Sequence, residues 1–212
     1  MALTDNLNCY WKLDESSGNA ADSSGNGTTL TNNGTVTYAS AKINNGAVLS
    51  SGKYFTAGDN GFVSLTGDAT WQVWWYPTSL SNSNPYGVTG MFPFFDKWSY
   101  STASREYEVY LQNASGVYTL AINFSTDGSS YVNASKVVTA ITVNTWHHLV
   151  FTYKASTGVV EFFINGSSQG TSTPGNTSIY NGTSSLAIGR FLNDAAASIE
   201  GTLDEAAIWS RA

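Results

Sequence analysis

Charged residues and cysteine are scarce in this chain. Asp, Glu, Lys and Arg make up 11% of its 212 residues, against a usual value of about 25%. The net charge is −6, and the nine Lys and Arg residues are scattered along the sequence. Because proteins bind nucleic acids by neutralising phosphates with clustered basic side chains, we expect no nucleic-acid partner. The single cysteine, Cys9, excludes an intrachain disulfide, and its strand-like surroundings predict a buried thiol.

Long hydrophobic runs are missing as well. No apolar stretch approaches the roughly 20 residues that cross a bilayer, so we expect no membrane insertion. The N-terminus lacks the basic region followed by an apolar run that marks a secretory signal peptide. We therefore expect synthesis in the cytoplasm without a signal peptide.

Helical periodicity is also missing, and short alternating runs take its place. These runs are separated by turn-forming clusters, a pattern typical of an all-β sandwich. With no linker, internal repeat or charge run, the sequence predicts one domain over residues 1–212. The predicted strands are Cys9–Leu13, Thr28–Thr31, Ala47–Leu49, Lys53–Ala57, Ala69–Tyr76, Met91–Lys97, Glu106–Gln112, Val117–Phe124, Trp146–Tyr153, Val159–Ile164, Leu186–Ile188 and Thr202–Trp209.

Two turn signals predict a meander in the second half, from Trp146 to about Gly170. Asn165-Gly166 favours a two-residue hairpin, because a type I′ turn needs positive φ at both central residues. The cluster from Ser156 to Gly158 predicts a second hairpin turn. The segment Thr78–Gly90 is polar and is predicted to be a long loop.

One predicted strand is rich in tryptophan. Alternation places Trp71, Val73 and Trp75 on one face of it and the set Gln72, Trp74 and Tyr76 on the other. Such a strand is either covered on both sides or has an outer surface lined by aromatic rings. The pattern alone does not decide between these alternatives.

The two ends of the chain carry similar segments. Tyr10–Glu15 is an aromatic strand with a carboxylate tip, followed by the Gly- and Asn-rich segment Asp22–Gly27. Gly201–Trp209 near the end contains a second acidic pair, Asp204-Glu205. If these end strands pair, the chain closes on itself and the acidic tips meet.

Four blocks, in order along the chain, carry a resemblance to a known family. They are Tyr10–Glu15 with Asp22–Gly27, Trp74–Pro77, Trp146–Tyr153 with Val159–Gly166, and Leu203–Trp209. The chain resembles the concanavalin A-like lectin/glucanase superfamily, in particular its laminin-G-like jelly-roll branch. The resemblance implies an all-β fold of two antiparallel sheets, a jelly-roll sandwich with adjacent terminal strands.

The resemblance also carries functional expectations. Members are usually binding or adhesion modules, and stand-alone proteins of this kind are common among bacteriophage tail, fibre and capsid-decoration proteins. We expect a non-catalytic recognition module on a phage-like virion surface, with a glycan or cell-surface polysaccharide and other virion proteins as partners. A homo-oligomer and an extracellular location are left open. The alternatives are a purely structural virion protein without a glycan ligand and, least favoured, a glycoside hydrolase.

A structural calcium ion is one expectation for the acidic ends. Calcium takes six to eight oxygen ligands from carboxylates, carbonyls and amides, and Asp22, Asn26 and the Gly-rich backbone between them offer such oxygens. The resemblance implies a further carboxylate from Asp204. The alternative is that Asp22 caps its own turn and that Asp204 accepts hydrogen bonds from neighbouring amides.

Carbohydrate binding is expected at aromatic residues in or beside loops. Trp98, Tyr100 and Tyr131 are the candidates, because a flat ring stacks on the C–H face of a sugar. Arg105, Asn113 and Asn133 lie nearby in sequence and can hydrogen-bond hydroxyls. An exposed aromatic loop serves a protein interface equally well.

Catalytic residues are not predicted. Glu106 and Glu108 share one face of a strand, but the superfamily's glucanase motif has a central Asp and a third carboxylate that are missing here. We expect both glutamates to be solvated. His147 and His148 point to opposite faces of a strand, so they cannot hold one metal ion together, and we expect one buried and one surface histidine.

Overall fold

The computed structural model describes residues 2–81, 90–139 and 141–212. Residues 82–89 of the predicted Thr78–Gly90 loop lie outside this part of the chain. The regular structure of the described residues is entirely β, which confirms the predicted fold class. None of them forms a helix of the length and apolarity that a membrane crossing requires.

Seventeen strands follow one another in the described residues. They are β1 (Leu7–Trp11), β2 (Thr31–Asn33), β3 (Thr37–Ser40), β4 (Asn45–Leu49), β5 (Tyr54–Ala57), β6 (Ala69–Pro77), β7 (Met91–Lys97), β8 (Tyr107–Ala114), β9 (Val117–Phe124), β10 (Val132–Val138), β11 (His147–Lys154), β12 (Val159–Ile164), β13 (Ser167–Ser172), β14 (Leu186–Ile188), β15 (Arg190–Phe191), β16 (Asp194–Ser198) and β17 (Gly201–Trp209).

Two large antiparallel sheets form a sandwich. The eight-stranded sheet runs β13-β12-β11-β6-β17-β4-β3, with β1 also paired to β17, and the seven-stranded sheet runs β10-β9-β8-β7-β14-β5-β2. Their inner faces meet in one core, where the Trp71 ring of β6 lies 5.1 Å from the Tyr107 ring of β8. A small hairpin, β15-β16, is separate from both sheets.

The ends of the chain pair as predicted. β1 lies antiparallel to β17, with Trp11 opposite Ala206 and Cys9 opposite Ile208. Cys9 and Trp11 are fully buried, and the Trp11 indole donates a hydrogen bond to the carbonyl of Thr28 at 2.7 Å. The start of the chain is therefore a structural part of the eight-stranded sheet.

The tryptophan-rich strand has one core face and one outer face. Trp71, Val73 and Trp75 are fully buried, whereas Gln72, Trp74 and Tyr76 are half-buried. Since β6 lies in the middle of its sheet, its outer residues form part of an aromatic-lined surface. The structure thus selects the second of the two alternatives for this strand.

Differences from the predicted strands are concentrated at the sheet edges. The hairpin at Asn165-Gly166 is confirmed, with φ of 51° and 78°. The strand predicted at Thr28–Thr31 is wrong in position, because pairing in the seven-stranded sheet begins at Thr31. Strands β3, β10, β15 and β16 were not predicted. β3 and β10 lie at edges, where both faces tolerate polar side chains and the alternation that marks a strand is weak, and β15 and β16 form the separate hairpin.

Candidate functional site

A straight row of polar side chains crosses the outer face of the seven-stranded sheet. Asp96 on β7 is the direct register partner of Glu108 on β8, which is opposite Asn123 on β9. Asn123 in turn is opposite Asn133 on β10. Direct partners in neighbouring strands project from the same face, so the fold aligns four residues that are widely separated in sequence. We call Asp96, Glu108, Asn123 and Asn133 the polar row.

Hydrogen bonds link most of the polar row. The amide of Asn123 donates to Glu108 Oε2 at 2.8 Å, and the amide of Asn133 donates to Asn123 Oδ1 at 2.8 Å. The Tyr110 hydroxyl donates to the same oxygen of Asn123 at 3.5 Å. These contacts fix the amide orientations before any ligand arrives.

An aromatic cluster lies beside the polar row. Trp98 follows directly on β7, and its ring lies 5.7 Å from that of Tyr131 and 6.1 Å from that of Tyr100. The Arg105 guanidinium lies 4.6 Å from the centre of the Tyr100 ring. Tyr100 is 53% exposed and Tyr131 is 54% exposed, whereas Trp98 is 1% exposed. Of the three rings expected to contact a sugar, Trp98 is therefore covered, and it supports the two tyrosines from below.

The β15-β16 hairpin covers one end of the polar row. The Leu192 amide donates to Asp96 Oδ2 at 2.7 Å, and Asn193 donates from its side chain to the carbonyl of Trp98 at 2.7 Å. The Phe191 ring packs edge-on against Tyr110 at 5.7 Å. Asp96 is fully buried beneath these contacts. It anchors the hairpin and presents no surface to a ligand.

Two buried carboxyl groups give the site unusual electrostatics. Burial raises the pKa of Glu108 to about 7, against the effect of the Asn123 hydrogen bond and of Arg105. Burial and the neighbouring Glu108 raise the pKa of Asp96 well above its usual value. Because two adjacent buried carboxylates repel each other in a medium of low dielectric constant, this pair carries fewer than two negative charges at neutral pH.

Glu106 and Glu108 are not solvated, which corrects the prediction made for them. Glu106 is fully buried, and Glu108 is 6% exposed. Glu106 accepts a hydrogen bond at 2.6 Å from the ammonium of Lys97, which also binds Asp59 Oδ1 at 2.7 Å and the carbonyl of Ser184 at 2.6 Å. Glu106 is thus part of a buried ion pair, whereas Glu108 belongs to the polar row.

The two histidines lie on opposite faces, as predicted. His147 is 2% exposed, and its Nε2 lies 2.9 Å from the carbonyl of Thr142. His148 is half-buried on the outer face of the eight-stranded sheet and stacks on Trp74 at 4.8 Å. Burial lowers the pKa of His148.

The residues expected to bind calcium are held by other contacts. Asp22 Oδ1 accepts hydrogen bonds from the amides of Tyr10 at 3.0 Å and Ser24 at 2.9 Å. Its Oδ2 accepts from the amide of Thr28 and the hydroxyl of Ser24, both at 2.9 Å. The carboxylate therefore already has four donors, and it fits the capping alternative better than a cation ligand.

Asn26 and Asp204 lie in different surroundings. The Asn26 amide donates to the carbonyls of Asn8 at 2.9 Å and Leu7 at 3.1 Å. Asp204 Oδ2 accepts from the Ile43 amide at 2.8 Å, so Asp22 and Asp204 share no hydrogen-bond partner. Among the residues that the structure describes, no group of three or more His, Cys, Asp or Glu residues could hold a metal ion.

The remaining residue of the sequence-based candidate set is Asn113. Its amide donates to the carbonyl of Leu80 at 2.6 Å, and its Oδ1 accepts from the Gly116 amide at 2.8 Å. Asn113 therefore holds the β8-β9 turn. Asp96 and Asn123 were missed, although each is a polar residue at an outward position of a predicted strand. Their convergence depends on the strand register, which the sequence alone does not show.

The two facing antiparallel sheets, closed by pairing of the first and last strands, place the chain in the class of lectin-like β-sandwiches. The chain belongs to the concanavalin A-like lectin/glucanases superfamily, since the model of a laminin G family within it matches residues 45–212. The predicted family is thereby confirmed. A comparison with curated protein sequences finds no match.

Solved structures with the same fold include binding domains of toxins and one domain of an arabinanase. The binding domain of Paraclostridial Mosquitocidal Protein 1 is 16% identical with a TM-score of 0.75, and the match covers 100% of this chain and 50% of that one. The ligand-binding domain of botulinum neurotoxin serotype D, solved with N-acetylneuraminic acid, is 12% identical with a TM-score of 0.69 over 98% of this chain and 48% of that one. This chain thus spans about half the length of these toxin domains.

A third structure matches over nearly its whole length. Domain 4 of AbnA, an extracellular arabinanase from Geobacillus stearothermophilus, was solved in complex with arabinotriose. It is 21% identical with a TM-score of 0.64, and the match covers 96% of this chain and 92% of that domain. At these identities the likeness establishes the common fold.

Proposed function

We propose that this protein is a non-catalytic recognition module that binds a carbohydrate on the outer face of its seven-stranded sheet. The observation that carries the proposal is the placement of the polar row directly beside two exposed tyrosines. Ligand sites of this kind combine an aromatic surface with a few fixed polar groups. Here Tyr100 and Tyr131 supply the rings, and Glu108, Asn123 and Asn133 supply the polar groups.

The chemistry of the surface favours a neutral, hydroxyl-rich ligand. Glu108 accepts hydrogen bonds from hydroxyl groups, and the amides of Asn123 and Asn133 both donate and accept. Arg105 is the basic group beside the tyrosines, and its Nε has no acceptor among the described residues. A strongly acidic sugar would lie close to Glu108, and repulsion between the two carboxylates disfavours such a ligand.

The structural comparisons support the proposal through the named ligands of two neighbours. One was solved with arabinotriose and the other with N-acetylneuraminic acid. The arabinotriose complex is the stronger support, because the match covers 92% of that domain, whereas it covers 48% of the neurotoxin chain. A shared fold does not by itself transfer a ligand.

We place the module on the surface of a phage-like virion, with other virion proteins as its neighbours. The support for this setting is the resemblance to a family whose members are common among bacteriophage tail, fibre and capsid-decoration proteins. The alternatives are an extracellular location and a structural protein that uses the sandwich for assembly contacts alone. Flanking tail or capsid genes next to the coding sequence would support the virion setting, and flanking secretion or glycosidase genes would argue against it.

The binding proposal is tested on a glycan array and by affinity electrophoresis in polysaccharide gels. We expect retention by a neutral glycan, reduced at least tenfold in Tyr100→Ala and in Tyr131→Ala. Phe62→Ala is the matched control, because Phe62 is a 40% exposed aromatic residue outside this site. Absence of retention on every glycan would favour the structural alternative.

Calcium enters the same experiment as a separate variable. Retention that is lost in EDTA and restored by calcium would support a structural calcium ion and contradict the capping role of Asp22. Retention that is equal in EDTA and in calcium supports a metal-free site. Neither result changes the expected effect of the tyrosine variants.

A further inference from the structure

The outer face of the eight-stranded sheet carries a second row of functional side chains. His148 on β11, Trp74 on β6 and Asp204 on β17 are direct register partners. The rings of His148 and Trp74 are stacked, with centroids 4.8 Å apart and planes at 23°. This row lies on the opposite side of the sandwich from the polar row, so it is independent of the proposed carbohydrate site.

The Trp74 ring already binds a cation from its own chain. The ammonium of Lys42, an exposed residue of the β3-β4 turn, lies 4.5 Å from the centre of the ring. Among the residues that the structure describes, Lys42 forms no ion pair with a carboxylate. The attraction of an ammonium to the electron-rich ring face therefore holds Lys42 in this position. The ring face is thus shown to accept an alkylammonium group.

An excess of negative charge lies next to this ring. Asp204 is fully buried, its Oδ2 accepts one hydrogen bond, and its Oδ1 meets no donor with hydrogen-bonding geometry. Glu205 is 6% exposed and accepts a hydrogen bond from the Tyr10 hydroxyl. Asp14 accepts one from the Asn45 amide at 3.1 Å.

A β-bulge explains how two consecutive acids reach one region. The register of β17 against β6 shifts between Asp204 and Ala207, and Glu205 has a φ of 52°. A bulge re-aims side chains that would otherwise alternate between faces. Glu205 consequently contacts Tyr10, which projects outward between the core residues Cys9 and Trp11.

The positive groups nearby do not balance these acids. Besides Lys42, there is the exposed Lys12, whose carbonyl accepts from the Glu205 amide at 3.5 Å. Burial lowers the pKa of the half-buried His148, which favours its neutral form. Burial and the carboxylates of Glu205 and Asp14 raise the pKa of Asp204 to about 7. An added cation would relieve this repulsion, because an opposite charge favours the ionised carboxylate.

We propose that Trp74, Asp204 and Glu205 form a binding site for a lysine side chain of a partner protein, which takes the place of Lys42 over the Trp74 ring. Organic rather than inorganic cations fit this surface, since no group of acids in the described residues could hold a metal ion. The aromatic face receives the methylene groups and the ammonium. The carboxyl groups of Asp204, the register partner of Trp74, and of Glu205 are buried, so they attract the ammonium by charge from beneath the surface. We call these three residues the ammonium site.

The test is a titration of the full chain with Nα-acetyl-lysine methylamide, followed by tryptophan fluorescence and NMR. The Nε-acetylated form of the same compound is the matched control ligand, because acetylation removes the charge. We expect saturable binding of the charged compound only, weakened by salt as for a partly exposed ionic contact. Equal binding of the acetylated compound would overturn the proposal.

Protein variants separate the ammonium site from unspecific effects. Lys42→Gln removes the internal competitor, and we expect affinity to rise by about three- to tenfold, the range of a cation–π contact. Trp74→Leu and Asp204→Asn should each lower affinity by at least as much. Trp146→Leu is the control on the same sheet face, because Trp146 pairs with Tyr76 instead.

The Lys42 variant keeps the test decisive even if a substitution at a buried position unfolds the chain. Lys42 is exposed, so Lys42→Gln is expected to fold like the native chain, and circular dichroism verifies this. Unchanged or weaker binding in Lys42→Gln would refute the competition between the two ammonium groups, and with it the proposal. A positive result leaves the carbohydrate proposal untouched, since its variants lie on the other sheet.

Discussion

At the residue scale, buried charged groups distinguish this protein from a simple apolar sandwich. Lys97 and Glu106 are both fully buried and bonded at 2.6 Å, and Asp59 is the second carboxylate on the same ammonium. Removing one partner of a buried ion pair leaves the other as an uncompensated charge in the protein interior. Lys97 lies between Asp96 and Trp98 in sequence. A shift of Lys97 would therefore move the end of β7, which carries Asp96 and leads into Trp98.

Replacing Lys97 should therefore be costly. We expect Lys97→Met to lower the free energy of unfolding by about 3–5 kcal/mol, as for other broken buried pairs. Lys154→Met is the matched control, because the Lys154–Asp68 pair is at the surface, and exposed pairs contribute about 0–1 kcal/mol. Urea denaturation at pH 7 measures both values. Similar losses in the two variants would contradict the structural role of Lys97.

Asp22 offers a second test at this scale. Its four accepted hydrogen bonds predict that Asp22→Ala destabilises the chain by about 1–3 kcal/mol, because three part-buried amides lose their acceptor. If Asp22 is a turn cap, this loss is the same in calcium and in EDTA. A loss that appears in calcium alone would identify Asp22 as a metal ligand, contrary to the geometry of its hydrogen bonds.

At the element scale, turns and edge strands decide where the sheets begin and end. The β12-β13 turn uses Asn165 and Gly166 at positive φ, which matches the twist of the flanking strands. The pairing of an edge strand such as β13 depends on its turn, because the exposed side chains of the strand contribute little packing.

Glycine is required at the β12-β13 turn by its backbone conformation. Gly166 has a φ of 78°, and a methyl group added there would meet open space, so the expected cost of Gly166→Ala is backbone strain of about 1 kcal/mol. Gly61→Ala is the control, since Gly61 also has open space but does not adopt such a φ. Thermal unfolding should show a lower midpoint for the Gly166 variant alone. Equal midpoints would argue against a type I′ turn.

At the scale of the whole molecule, the buried carboxyl groups predict a characteristic pH dependence of stability. Burial raises the pKa of Glu108 and of Asp204 to about 7, above the values of about 4 in the unfolded chain. Between these values the folded state binds more protons than the unfolded state, so the free energy of unfolding falls as pH rises. Asp59 and Asp68 have lowered pKa values. Their stabilising contribution is lost only when the pH falls below the pKa of about 4 in the unfolded chain, so it does not change in this range.

We therefore expect the midpoint of thermal unfolding to be higher near pH 5 than near pH 7.5. The variants Glu108→Gln and Asp204→Asn should each flatten this slope, because a neutral amide does not ionise. Glu161→Gln, at a half-buried surface position, is the control and should leave the slope unchanged. A midpoint that rises from pH 5 to pH 7.5 in the native chain would contradict the assignment of these two groups.

Much of the architecture was predictable from the sequence. Alternation in β6 and β11 identified the core strands, because that pattern is local, whereas the pairing of β1 with β17 was implied by the family resemblance. Tyr100, Tyr131 and Trp98 were correctly expected near loops, and the structure brings them together. The exposure of each ring was not predictable, since it depends on which neighbours cover it.

The sequence by itself determined the β character of the chain, its turns and the membership of its strands in one core, because side-chain periodicity and turn chemistry act over a few residues. Only the tertiary structure determined which side chains meet on the outer faces of the two sheets. Asp96, Glu108, Asn123 and Asn133 meet through strand register, and Asp204 meets Trp74 and Glu205 through a bulge in β17. Register and bulges are set by the packing of the complete sandwich, and no short segment of sequence contains that information.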